Sequence, residues 1–190
     1  MSDTSVQPDA VQTKETIPLW IAITITVLLS VPFTLWLGSW NMAVWVSFIV
    51  WAEYFALGAK PSAAKTILPA FAYSAILTGL TLALISYLDF LPDIRTPGDL
   101  AVMVALVIGV GFMVYSMRWA KVFQEGSLPF FNGISMVLAV YFTGSYPSIV
   151  EGAAAAVWAG VWVVVLGAFG VLLALFNLWI TFPRPVARTA

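Results

Sequence analysis

Residues 153–180 read AAAAVWAGVWVVVLGAFGVLLALFNLWI, a run of about 28 positions without one charged side chain. A helix over such a run is about 40 Å long, and a hydrocarbon layer is about 30 Å thick. The run therefore reads as a membrane-crossing helix that tilts or projects beyond the lipid. Working outward, the same criterion finds five further apolar stretches, at about 17–38, 40–58, 66–88, 100–118 and 128–144. The expected fold class is an all-α integral membrane protein with six transmembrane helices over 17–182, between polar cytoplasmic tails at 1–16 and 183–190.

Composition points the same way. The 190 residues are 62% hydrophobic and 9% charged, with a formal net charge of −1. Soluble domains carry about 25% charged residues, so a soluble enzyme, a disordered chain and a nucleic-acid binder are excluded. Cysteine and histidine are both absent. That removes disulfides, thiolate and imidazole metal sites, and the commonest general base near neutral pH. Neither an enzyme nor a metal or other cofactor is expected. No signal cleavage is expected either, since about twenty apolar residues follow an acidic tail rather than a basic one.

Charge placement gives the orientation, because basic short loops stay in the cytoplasm. Six crossings put Lys14, Lys60, Lys65, Arg118, Lys121, Arg184 and Arg188 on one side and only Arg95 on the other, so both termini are cytoplasmic. The fifth stretch, LPFFNGISMVLAVYFTG, is short and carries Pro129, Asn132 and Gly133 near its start. A re-entrant hairpin there would move Arg184 and Arg188 outside, and the charge rule favours a straight crossing. Trp20, Trp119 and Trp179 fall at inner ends and Trp36 and Trp40 at an outer turn, as indoles do at interfaces. Trp45, Trp51, Trp158 and Trp162 lie deeper and read as packing or lining residues.

The second and fifth helices share a pattern, VSFIVWAEYFALGAKPSA against ISMVLAVYFTGSYPSI, with PFTLW at 32–36 and GFMVY at 111–115 upstream. Two readings stand: chance similarity between apolar helices, or two three-helix repeats. An odd number of crossings per repeat forces the second copy upside down, an architecture common in carriers and channels.

Glu53 is the one charged residue well inside a span, near the cytoplasmic end of helix two. An intramembrane carboxylate is expensive and marks a functional candidate, while pairing with Lys60 or Lys65 is the anchoring alternative. Asn41 and Asn132, placed on the outer side, begin spans two and five and read either as solute ligands or as helix caps. Ser47 and Tyr54 share a face of helix two, and Tyr141 and Phe142 take the matching depth in helix five. These seven residues are the candidates for lining a solute pathway. Along helix six, Ala153, Ala156, Gly160, Val163, Gly167, Gly170, Ala174 and Asn177 follow one another at spacings of three and four, a seam for close packing within the bundle or between subunits. Pro32, Pro69 and Pro129 are read as bends, and the outer loop with Asp89, Asp93 and Asp99 as a solvated connection.

The segment from Trp51 to Ala56 with its YFA motif, the Gly58 and Pro61 turn, and the PFFNG…YF segment from Pro129 to Phe142 resemble the bacterial inner-membrane family called domain of unknown function 1097. The resemblance covers about residues 18–180. It implies a multi-pass protein of the bacterial cytoplasmic (inner) membrane and carries no substrate with it. Glu53 is not a general feature of the family pattern, which argues against a family-wide proton-coupling role. The expected function is a channel or simple carrier for a small neutral or weakly ionising solute, of the urea, amide, ammonia or short-acid class. Its partners are then the bilayer, the solute and further copies in a homo-oligomer. The alternative is an accessory membrane protein that packs against a partner through the helix-six seam.

Overall fold

A computed structural model describes residues 15–182, all of whose regular structure is helical. Seven α-helices follow in order: α1 Leu19–Leu35, α2 Val44–Ala56, α3 Pro61–Ile85, α4 Asp99–Ser116, the five-residue α5 Lys121–Glu125, α6 Ser127–Phe142 and α7 Ala153–Thr181. Short 3-10 turns at Gly38–Trp40 and Met117–Trp119 precede α2 and follow α4. The expected tails, apart from Glu15 and Thr16, lie outside the described residues, as do Lys14, Arg184 and Arg188.

Three helical stretches are long and apolar enough to cross a membrane: Pro61–Ile85, Asp99–Trp119 and Ala153–Thr181. The apolar helices Leu19–Leu35, Val44–Ala56 and Ser127–Phe142 are shorter. Large apolar side chains such as Leu28, Leu35, Val107, Ile108, Leu172 and Trp179 point outward. So broad an apolar exterior is that of a membrane protein.

α3 and α7 form the central pair. Small residues bring their backbones together: a Cβ on Gly160 would lie 2.8 Å from the Ala75 carbonyl oxygen, and one on Gly79 would lie 2.8 Å from that of Ala156. Further along, Gly167 gives way to the Phe71 ring. The two helices are therefore antiparallel. α2 lies along α7 in the same direction, with Trp162 reaching Asn41 and Ser47 reaching Leu166. α6 lies along α3 in the same direction, Gly126 beside Ala70 and Gly133 beside Ser74. α1 runs against α7, with Phe33 on Phe169 and Thr26 at Asn177. α4 runs against α3, with Met113 at Thr78 and Gly109 at Thr81. The directions of the six apolar helices alternate along the chain. Lys60, Lys65, Arg118 and Lys121 fall at one end of the bundle, and Arg95, Asp89, Asp93, Asp99 and Glu151 at the other.

The sequence reading needs correction at several helices. α3 starts at Pro61 rather than at 66, because proline at the first helical position loses no hydrogen bond. α6 is one continuous helix, in line with the straight segment favoured over a hairpin, with Pro129 in its first turn where a missing N–H is harmless. α2 begins at Val44 rather than at 40, since Asn41 adopts a left-handed φ of 45° that a helix cannot contain. Trp51 and Trp162 are buried and Trp158 half-buried, but Trp45 faces outward.

Candidate functional site

Buried hydroxyls in this bundle mostly satisfy themselves on their own helix. Ser74, Thr78 and Thr81 of α3 donate to the carbonyls of Phe71, Ser74 and Leu77, and Thr26, Ser30 and Ser116 do the same on α1 and α4. A hydroxyl bonded back to its own helix is inert toward a neighbour or a solute. The exceptions concentrate on α2 and α6, where long-range polar contacts hold the two helices at both ends.

At the basic end, Glu53 is buried to 2% exposure. The Asn132 side chain, from the second turn of α6, donates through Nδ2 to Glu53 Oε1 at 2.5 Å. Glu53 Oε2 has no partner among the described residues, and neither has Tyr54 Oη or Trp51 Nε1, both also buried. Three polar atoms within one turn of α2 are thus removed from water without a bond in return, at a cost of about 1–3 kcal/mol each. The anchoring expectation for Glu53 fails: the ion pair among the described residues is Lys121–Glu125, and Lys60 and Lys65 are exposed.

At the acidic end, Asn41 donates through Nδ2 to the Gly144 carbonyl at 2.9 Å, and its own carbonyl accepts from Trp162 Nε1 at 3.4 Å. Beside it lies a cleft of about 420 Å³ lined by Gly38, Trp40, Asn41, Tyr146, Pro147, Ser148 and Ile149. Its two aromatic lining residues, Trp40 and Tyr146, pack on further aromatic side chains. Trp40 packs on Trp162, Trp162 on Trp158, and Trp158 Nε1 donates to the Pro147 carbonyl at 3.0 Å. Tyr141 stacks on Tyr146 with their rings 10° from parallel. No charged side chain lines the cleft.

The seven pathway candidates therefore divide. Glu53 and Asn132 meet, Tyr54 neighbours them on α2, and Asn41 and Tyr141 belong to the cleft end. Ser47 does not line a path, since its buried hydroxyl donates to the Leu166 carbonyl at 2.7 Å and ties α2 to α7. Phe142 does not either: it is 63% exposed on the outside of the bundle. Asn41 and Asn132 are at opposite ends rather than both on the outer side, because α2 and α6 are antiparallel. Neither is the N-cap of its span: α2 follows Ala43 and α6 follows Gly126, with no side-chain cap at either, and Asn41 instead ends the Gly38–Trp40 turn. The sequence reading missed Trp40 and Tyr146 as lining residues, although the Tyr146-Pro147 turn after Gly144 marked a fixed loop.

The α7 seam is used inside the chain. Ala156 and Gly160 meet α3, Gly167 meets Phe71, the Cβ position of Gly170 is filled by the Ser47 backbone, and Asn177 donates to Thr26 Oγ1 at 3.2 Å. Ala174 is buried and Ala153 half-buried. A partner docking through this seam would have to displace the protein's own helices.

The acidic loop is organised by its own backbone. Asp99 accepts from the N–H groups of Ile94, Arg95, Thr96 and Leu100, and Asp93 from that of Gly98. No group of three or more metal-ligating side chains occurs among the described residues.

The family profile described as "Protein of unknown function (DUF1097)" matches residues 22–182. The chain belongs to that family. No curated protein and no solved structure matches it. The match spans all six apolar helices from within α1 to the end of α7, so both polar contacts between α2 and α6 fall inside the family domain.

Proposed function

We propose that this protein passes a small neutral or weakly ionising solute across the bacterial inner membrane along the α2–α6 pair, with six crossings and both termini in the cytoplasm. One observation carries the reading: the buried Glu53, with no ion-pair partner among the described residues, meets Asn132 at one end of a helix pair, and the loops at the other end line a cleft whose lining residues carry no charge. A carboxylate that only anchored a helix would pair with a lysine, and among the described residues Glu53 meets the Asn132 amide instead.

The packing scheme supports an inverted repeat. Exchanging α1 with α4, α2 with α6 and α3 with α7 turns the α2–α7 and α1–α7 contacts into α6–α3 and α4–α3, both of which occur. The registers differ by one residue: Ser47, against α7, precedes the Tyr54-Phe55 pair by seven residues, and Gly133, against α3, precedes Tyr141-Phe142 by eight. Sites in such folds lie where the repeats meet; here they meet chiefly at α3 with α7, and α2 and α6 are the equivalent helices that flank that crossing. A strongly charged solute is disfavoured, since a pathway between these helices has Glu53 alone to balance it.

The protein is read as a transporter and not as an enzyme. The expectation of a homo-oligomer stays with this reading, but the α7 seam cannot supply its contact. The test is flux into proteoliposomes across a panel containing urea, acetamide, ammonia and short monocarboxylic acids. Permeability no higher than that of empty liposomes for every member would overturn the proposal.

A further inference from the structure

The two contacts that hold α2 to α6 differ in one chemical respect. At the cleft end an amide N–H of Asn41 meets the backbone carbonyl of Gly144, and neither group titrates. At the basic end an amide N–H of Asn132 meets the carboxyl of Glu53, which does. We infer that Glu53 is a proton-binding site and that proton uptake there releases the Asn132 clasp and opens the basic end of the α2–α6 pair. The inference rests on the transport reading above and names its coupling ion.

Among the described residues, no charged side chain packs against Glu53. α2 packs against α1, α3, α6 and α7. Neither Leu19–Leu35 of α1 nor Ala153–Thr181 of α7 contains a titratable side chain. α3 carries Lys65, exposed at its start, and Tyr73, stacked on Phe123. α6 carries Tyr141, which is at the cleft end stacked on Tyr146. Lys121 and Glu125 on α5 pair with each other, and α2 itself adds Tyr54. Among the described residues no lysine or arginine pairs with Glu53.

The switch follows from hydrogen-bond strength. An ionised carboxylate accepts a charge-assisted bond about twice as strong as one between neutral partners. A proton from water adds to the carboxylate and gives a neutral carboxyl, and the clasp drops to the weaker class. Loss of the proton to the basic end restores it. The Asn41 clasp is unchanged throughout, so acidification loosens one end of the pair only. This asymmetry is what a carrier with two gates requires.

The full-length chain has no native cysteine, which makes paired spin labels direct. Ala56→Cys with Leu128→Cys reports the basic end, both positions being exposed, and Trp45→Cys with Phe142→Cys reports the cleft end. When the pH is lowered from about 8.5 to about 5, the first distance is expected to lengthen by about 2–5 Å. The second should stay fixed, and Glu53→Gln should abolish the response. A first distance indifferent to pH, or a response that survives Glu53→Gln, overturns the inference. Flux separates the two claims: solute uptake that ignores pH, with labels that ignore pH, sinks the proton site and leaves the transport reading. Labels that respond in a protein that passes no tested solute sink the transport reading and leave the proton site.

Discussion

Gly79 and Gly160 face each other across the α3–α7 crossing, and each is pressed against a backbone carbonyl of the other helix, that of Ala156 for Gly79 and that of Ala75 for Gly160. The relationship is reciprocal, as expected where two antiparallel helices cross at small residues. Membrane helices associate through such packing and not through water exclusion. Replacing either glycine by leucine is expected to lower stability in detergent by about 1–3 kcal/mol, since a carbonyl cannot move aside as a side chain can. Gly111, whose Cβ position is open, is the control; Gly111→Leu should shift the thermal midpoint little. Equal effects at Gly111 and Gly160 would contradict the packing argument.

Asn132→Leu should be more harmful than Glu53→Gln. The first leaves a buried carboxyl with no donor, whereas the second keeps a neutral side chain of the same shape. A double-mutant cycle with Glu53→Leu and Asn132→Leu is expected to give a coupling of about 1–3 kcal/mol in denaturation. A coupling near zero would mean that the two side chains do not meet in the membrane.

Asn41 holds a left-handed backbone conformation and donates across to Gly144. Asn41→Gly keeps the backbone and loses the bond; Asn41→Ala loses both, since left-handed geometry costs about 1–2 kcal/mol for a residue with a Cβ. The expected order of thermal stability is wild type, then Gly, then Ala. Alanine ranking above glycine would remove the strain argument.

Asp99 gathers three backbone N–H groups of the loop that joins α3 to α4, and that of Leu100 next to it. Asp99→Ala should expose residues 89–98 to limited proteolysis while leaving solute flux unchanged, because no residue of the loop lines the cleft. Unaltered cleavage would show that the loop is held by other means.

Six apolar stretches were legible because a bilayer demands runs of apolar residues whatever their neighbours do. The spacing of Ala156, Gly160, Gly167 and Gly170 was legible as a packing seam, since helical periodicity puts those residues on one face. Its partner was not. That α3 and α2 take the seam, with Asn177 reaching α1, depends on which helices lie beside α7.

The same division runs through the candidate site. The sequence by itself determined that Glu53 is the exceptional charge, because an ionisable residue inside an apolar run is conspicuous without any fold. Tertiary structure alone decided that its partner is Asn132, 79 positions away, and not Lys60 or Lys65. It also decided that Ser47 is bonded to α7, that Phe142 faces outward, and that Asn41 and Asn132 sit at opposite ends. The physical reason is that composition and period report how one helix meets its solvent, whereas hydrogen bonds between helices depend on direction, depth and rotation. Those quantities exist only once the helices are packed together.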